Sequence, residues 1–207
     1  MEVDRVRDIM WRPIDGIGLE ACNFGLFHLA DREPKDWITF SGISLGVHEG
    51  KSFDIQYGFD FNTLKPETGF HFATSGAGQE AYNSNVYITD GTGKWWNHRG
   101  NSVPKFDDCL VIHLAQTPAT ATYALYRLNL SSGQTGQITV MAIDMLKASF
   151  TPEIHSYTCL ERTQFGGTYS CESLSSGVKT TFTVDADNLV IDYGEKFRRV
   201  WTNTEQV

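Results

Sequence analysis

Positive charge is scarce in this chain: its 207 residues carry 17 Lys and Arg against 25 Asp and Glu, a formal net charge of −8. A protein that tracks phosphates needs a basic stripe, and none is visible, so no nucleic-acid partner is expected. No run approaches the roughly 18 apolar residues that span a bilayer as a helix, so no membrane span is expected. Proline is rare, at 6, and no Pro/Ser-rich linker divides the chain; a single domain over residues 1–207 is the expectation. The cysteines Cys22, Cys109, Cys159 and Cys171 never fall as Cys-x-x-Cys, which argues against zinc and redox pairs and for reduced thiols. The opening Met-Glu-Val-Asp-Arg-Val-Arg-Asp lacks an apolar stretch followed by small residues, so a cytoplasmic protein is expected and the sequon at Asn129 reads as chance.

Several chemistries are missing too. There is no Gly-x-Ser-x-Gly elbow. His28, His48, His71, His98, His113 and His155 form no i, i+2 or i, i+4 pair, so no metal is expected. Ser75-Gly76-Ala77-Gly78 lacks the Lys-Ser/Thr and the following helix of a phosphate cradle and reads as a loop; no cofactor is expected.

Aromatic residues are plentiful: 13 Phe, 8 Tyr and 5 Trp, beside 19 Gly. This is the vocabulary of antiparallel sheet. The clearest strand is Ser52–Asn62, where Phe53, Ile55, Tyr57, Phe59 and Phe61 alternate with polar residues and Gly58. Strand side chains change face at every residue, so one side is apolar and the other polar and wet. Val86–Thr89 runs into an Asp90-Gly91 turn with Lys94-Trp95-Trp96 returning. Further strands are expected at Cys109–Leu114, Ala121–Leu130, Gln137–Met145 (buried on both faces), Thr180–Asp185 and Leu189–Tyr193, with Glu195–Trp201 a last strand or a helical end. Helical signals are confined to the short segments Gln79–Tyr82 and Asp144–Ala148. The fold class expected is all-β: a long antiparallel meander rolled into an open barrel or half-barrel with few short helices.

Within that frame a few residues can carry chemistry. His113 lies mid-strand on the Cys109/Val111 face, either as a hydrogen-bonded core histidine or as a polar handle in a cavity. Strand alternation puts Tyr123, Leu125 and Arg127 on one face, where Arg127 either snorkels at an edge or anchors an anionic or hydroxyl-rich head group. Asp107-Asp108 and Asp185-Ala186-Asp187 sit at strand ends, where Asp bonds the local backbone.

The segment Cys109–Leu128, CLVIHLAQTPATATYALYRL, resembles the signature of the putative glycolipid-binding family, a Thr-Pro-x-Thr-Asn-Thr-Leu-Pro-Ile-Arg-Arg-Leu stretch matched at Thr117, Pro118, Thr120, Thr122, Arg127 and Leu128. Trp11, Gly18-Leu19-Glu20, Tyr57 with Asp60, Asp90-Gly91-Thr92-Gly93-Lys94-Trp95, Tyr157-Thr158 and Val184–Val190 with Tyr193 are similar to the rest of its pattern, in order. The chain departs from it at Val111-Ile112-His113-Leu114, where the family has Asp-Val-Asp-Leu, and at Ala121, Ala124 and Tyr126, where it has Asn, Pro and Arg. The resemblance implies a sheet wound into an open roll around an apolar interior.

Three functions are therefore weighed. The first is binding of a hydrophobic or amphipathic, glycolipid-like small molecule in an apolar cavity lined by Phe53, Ile55, Tyr57, Phe59, His113, Tyr123, Leu125 and Arg127. The second is a cofactor-independent cyclase or isomerase in the same cavity, using His113, Arg127 and Tyr126. The third is a structural or interaction domain without a ligand, which exposed Trp95 and Trp96 would favour. Oligomeric state is left open.

Overall fold

The computed structural model describes residues 2–28, 36–63, 68–76, 79–82, 87–90, 92–147 and 149–203. The chain groups into two compact units, Met1–Asp108 with Val200–Val207, and Cys109–Arg199.

The first unit is an antiparallel meander. Its strands are β1 (Glu2–Pro13), β2 (Gly18–His28), β3 (Asp36–His48), β4 (Lys51–Asn62), β5 (Thr68–Gly76), β6 (Gln79–Tyr82), β7 (Tyr87–Thr89) and β8 (Trp95–Asn97). They lie in the order β8-β7-β5-β4-β3-β2-β1, with β6 also pairing β5. Strands β1 to β5 pair in chain order, as short connections favour. Glu49 and Gly50 both take positive φ, 51° and 76°, and so close β3 onto β4 in a two-residue turn whose twist suits the strands.

The apolar face of β4 is buried as its alternation predicts. Phe40 stacks on Phe59 at 4.6 Å between ring centroids, Phe24 meets Phe40 edge-on at 5.3 Å, and Phe70 stacks on Phe72 at 5.4 Å. Phe106, in the 3-10 turn Pro104–Phe106, closes the set against Tyr87 and Trp95 at 4.8 and 6.0 Å. Each such pair contributes about 0.5–1.5 kcal/mol beyond the area it buries. The Gln79–Tyr82 segment, expected to be helical if anything, is strand β6. Val86, Gly91, Ala77, Gly78 and Ala148 lie outside the described residues.

The second unit contains β9 (Val111–Leu114), α1 (Thr120–Leu128), β10 (Thr135–Asp144), β11 (Ser149–Thr163), β12 (Gly166–Ser173), β13 (Lys179–Asp185), β14 (Val190–Tyr193) and the start of β15 (Phe197–Thr202). Its strands run β9-β10-β11-β12-β13-β14-β15. Two expectations are corrected here. Residues Ala121–Leu130 are not a strand: Thr120–Leu128 is a helix. Its Ala121, Ala124, Leu125, Arg127 and Leu128 are good helix formers, which lose little entropy in a helix. Its threonine hydroxyls find partners: Leu114 N–H bonds Thr120 Oγ1 at 3.2 Å, and Thr122 donates to Asn188 O at 2.8 Å. Asn129 takes the left-handed conformation, φ 43°, and caps the helix through its N–H to Leu125 O. Second, β9 and β10 are parallel, because α1 is the crossover between them. Of the Asp144–Ala148 segment, residues 145–147 form a turn at the end of β10, where Asp144 Oδ1 accepts the N–H groups of Leu146 and Lys147 at 3.1 and 3.3 Å.

Candidate functional site: the small-residue face of the first sheet

Directly opposed residues of an antiparallel pair point to the same side of the sheet. On the side away from the aromatic core, Gly25, Thr39, Asp60, Gly69, Ile88 and Trp96 form one cross-strand row. Asp8, Asn23, Ser41, Gly58 and His71 form the next, and Met10, Ala21, Ile43, Gln56 and Ala73 the one after. Many of these residues are small, so this face is not filled. Over the second and third rows lies a hollow of about 880 Å³, edged by Trp201 and reaching Tyr57. Over the first row lies another of about 460 Å³, lined by Trp37, Asp60, Gly69, Ile88, Asp90 and Trp96 among others.

Two of the three glycines on this face, Gly58 and Gly69, make room for the side chains beside them. The His71 ring lies across Gly58, where a Cβ would come 2.2 Å from His71 Cε1, and the Asp60 carboxylate lies over Gly69, 2.6 Å from where a Cβ would sit. Burial raises Asp60 above the usual carboxylate range, while His71 and the Gly69 N–H pull it back. Asp90 is held below that range by the Thr92 hydroxyl and N–H, at 2.7 and 2.8 Å from its Oδ1. In the large hollow, Asn23 Nδ2 donates to Asp8 Oδ1 at 2.9 Å. Behind it Tyr57 donates to the buried Glu20 carboxylate, and burial drives the Tyr57 hydroxyl and Cys22 thiol well above their ordinary pKa.

The second unit has its own hollow, of about 290 Å³, lined by His113, Glu153, His155, Cys171, Tyr193 and Lys196 among others. The His113 and His155 rings meet edge-on at 5.0 Å. His155 Nε2 lies 3.1 Å from Glu153 Oε2, which also accepts Ser173 Oγ at 2.8 Å, and its Nδ1 is 3.7 Å from Cys171 Sγ. Burial lowers both histidines, His113 to about 3, so both are neutral at pH 7; burial also pushes the Cys171 thiol up to about 11. The arrangement holds two neutral imidazoles in edge-on contact, with His155 hydrogen-bonded to Glu153.

The residues singled out from the sequence divide among these places. Ile55, Tyr57 and Phe59 are buried in the aromatic core and Phe53 is half-buried beside it; Tyr57 also reaches the large hollow. Tyr123 and Leu125 are buried in α1 rather than aligned on a strand. Arg127, one turn on, lays its guanidinium over the Tyr123 ring at 5.2 Å. Tyr126 bonds Asn188, and burial pushes its hydroxyl up to about 12. Neither Tyr126 nor Arg127 lines the hollow beside His113. Asp107 pairs with Lys94 at 2.5 Å, and Asp185 accepts the N–H groups of Asp187 and Leu189 and pairs with Arg199 at 2.6 Å. Trp95 is 1% exposed, a core residue, whereas Trp96 is half-buried at a hollow. Sequence reasoning missed Trp201 at the large hollow, Trp37, Asp60 and Trp96 at the smaller one, and His155 and Cys171 as neighbours of His113. The signal for the first two groups was the run of small residues on the polar face; the last is brought together only by strand register.

A protein of the DUF1089 family from Pseudomonas aeruginosa is similar in structure at a TM-score of 0.69 and 26% identity, over 89% of this chain and 92% of that one. A beta-barrel-like protein of a domain of unknown function, DUF1849, from Brucella abortus shares the fold at a TM-score of 0.60 and 8% identity, over 99% of both chains. No curated protein matches the chain. No helix among the described residues is long and apolar enough to cross a membrane. The family described as "Putative glycolipid-binding" matches residues 8–199, and the chain belongs to it.

Proposed function

We propose that this protein binds a hydrophobic or amphipathic small molecule of glycolipid-like build, and that the large hollow on the small-residue face of β1–β5 is its seat. The observation that carries the reading is the hollow itself. At about 880 Å³ it falls in the range of small-molecule sites, and its lining is mixed. Ala21, Ile43, Ala73, Met10 and Trp201 offer apolar surface, while Asp8, Asn23, Ser41, Gln56 and His71 offer hydrogen bonds. An amphipathic molecule satisfies both sets, and a purely apolar one would strand the polar groups. The family's description supports the same ligand class. In this reading Tyr57 is a ligand residue, while Phe53, Ile55 and Phe59 hold the sheet from its other face.

The test is native mass spectrometry with dodecyl maltoside, using the wild type and Ala73→Trp, which fills the hollow. The wild type should take up one molecule, and the variant should bind at least about tenfold more weakly. No uptake by the wild type, or equal uptake by the variant, would overturn the reading.

A further inference from the structure

The smaller hollow of the first unit has a chemistry of its own. Two tryptophans, Trp37 and Trp96, line it, both half-buried and so with part of their surface open. Two carboxylates, Asp60 and Asp90, line it as well. The remainder is Ile88, 51% exposed, with Gly69 and the buried Thr68 and Thr89. Among the described lining residues there is no Lys, Arg, His, Asn or Gln.

That inventory discriminates between ligand classes. An anion would face two carboxylates with no side-chain cation among the described lining residues to balance them. A sugar or alcohol finds indole N–H donors and carboxylate acceptors here, but being neutral it leaves both carboxylate charges unbalanced. An organic cation needs neither: it needs anionic charge and the electron-rich faces of aromatic rings, best of all tryptophan. The partial burial of Asp60 points the same way, since a buried carboxylate is costly unless a positive group meets it. His71, the side chain whose field acts on Asp60, lies across Gly58 and outside this lining. Asp90 is held in place by the Thr92 hydrogen bonds to its Oδ1.

We propose that the hollow between Trp37 and Trp96 is a site for a quaternary or methylated ammonium group, held by cation–π contact with the two indoles and by the charge of Asp60 and Asp90. The group can belong to a free small cation or to the head of a larger molecule. The site does not depend on the large hollow, because the cation alone makes all the contacts described.

The test is a titration of the full chain with choline and with tetramethylammonium at constant ionic strength, followed by tryptophan fluorescence and calorimetry. The neutral tert-butyl isostere of choline and methyl glucoside are titrated in parallel. Both cations should bind saturably, while the isostere and the glucoside should not. Trp96→Leu and Asp90→Asn should each weaken cation binding at least about fivefold. Asp90 lies on the surface, so Asp90→Asn keeps the test readable should Trp96→Leu disturb the fold. Absence of saturable cation binding, equal binding of the isostere, binding of the glucoside in preference, or unchanged affinity in Asp90→Asn would overturn the proposal. Because neither cation carries an alkyl chain, failure here leaves the dodecyl maltoside result untouched.

Discussion

The two faces of β4 share one backbone and have opposite fates. On one, Ile55, Tyr57, Phe59 and Phe61 are at most 2% exposed, Phe59 stacks on Phe40 of β3, and Phe40 meets Phe24 of β2 edge-on. On the other, Gln56, Gly58 and Asp60 lie among Ala21, Ser41, Gly69 and Ala73, and space is left over. The difference shows that hydrophobic pattern identifies what a fold fills, and side-chain size identifies what it leaves open. A face of large aromatics is a poor place to look for a cavity, because rings interdigitate to near-crystalline density. A face of small residues on a twisted sheet cannot cover itself.

The comparison can be broken most decisively on the filled face. Phe59→Ala should cost about 3–5 kcal/mol of unfolding free energy, read as a lower urea midpoint, because the stacked neighbours cannot collapse into the space. A loss under about 1 kcal/mol would mean the face is not close-packed. The next largest effect belongs to the second unit. Thr122→Val removes the hydroxyl that satisfies Asn188 O and should cost about 1–3 kcal/mol in the same assay. Were residues 120–128 a strand, that carbonyl would have no stake in the substitution.

A pH effect follows in size. The folded-state pKa of His113 lies near 3, below its ordinary 6.5, and that of His155 is also lowered. Folding therefore favours the neutral rings, and the unfolded chain binds more protons below pH 6.5. Stability is fully present above pH 6.5 and declines as the pH falls toward 3, with a slope of at most about 1.4 kcal/mol per pH unit for each histidine. His113→Asn should flatten the slope, read from urea midpoints between pH 4 and pH 7; an unchanged slope would show that His113 is not held neutral. Smallest of all, Gln56→Ala on the open face should shift stability by no more than about 0.5 kcal/mol. A large loss there would mean the open face is packed after all.

The sequence made the alternation of β4 legible, because five apolar residues at period two outweigh every other local signal. The β7–β8 and β13–β14 hairpins followed from turn residues, and β10 from its apolar run. The helix was not legible. Thr120–Leu128 places Tyr123, Leu125 and Arg127 in apparent alternation, yet Tyr123 and Arg127 are equally one helical turn apart. What decides between the two is the partner of each threonine hydroxyl and the left-handed Asn129, and both are tertiary facts. The site was half legible. Tyr57 and His113 do reach hollows, but the small residues that make the larger hollow have no motif. Its lining comes from β1 to β5 aligned by register, with Trp201 of β15 at the edge. Trp37 and Trp96 stand far apart in sequence and line one hollow only because β3, β4, β5, β7 and β8 pair in that order.

The central claim is that ligand sits on the small-residue face and not in the aromatic core or beside His113. The most direct measurement is a methyl-labelled NMR titration with dodecyl maltoside. The account predicts shifts at the Ala21, Ile43 and Ala73 methyls, with Ile55 and Ala142 unmoved. Shifts at Ile55 or Ala142 with Ala21, Ile43 and Ala73 silent would contradict it.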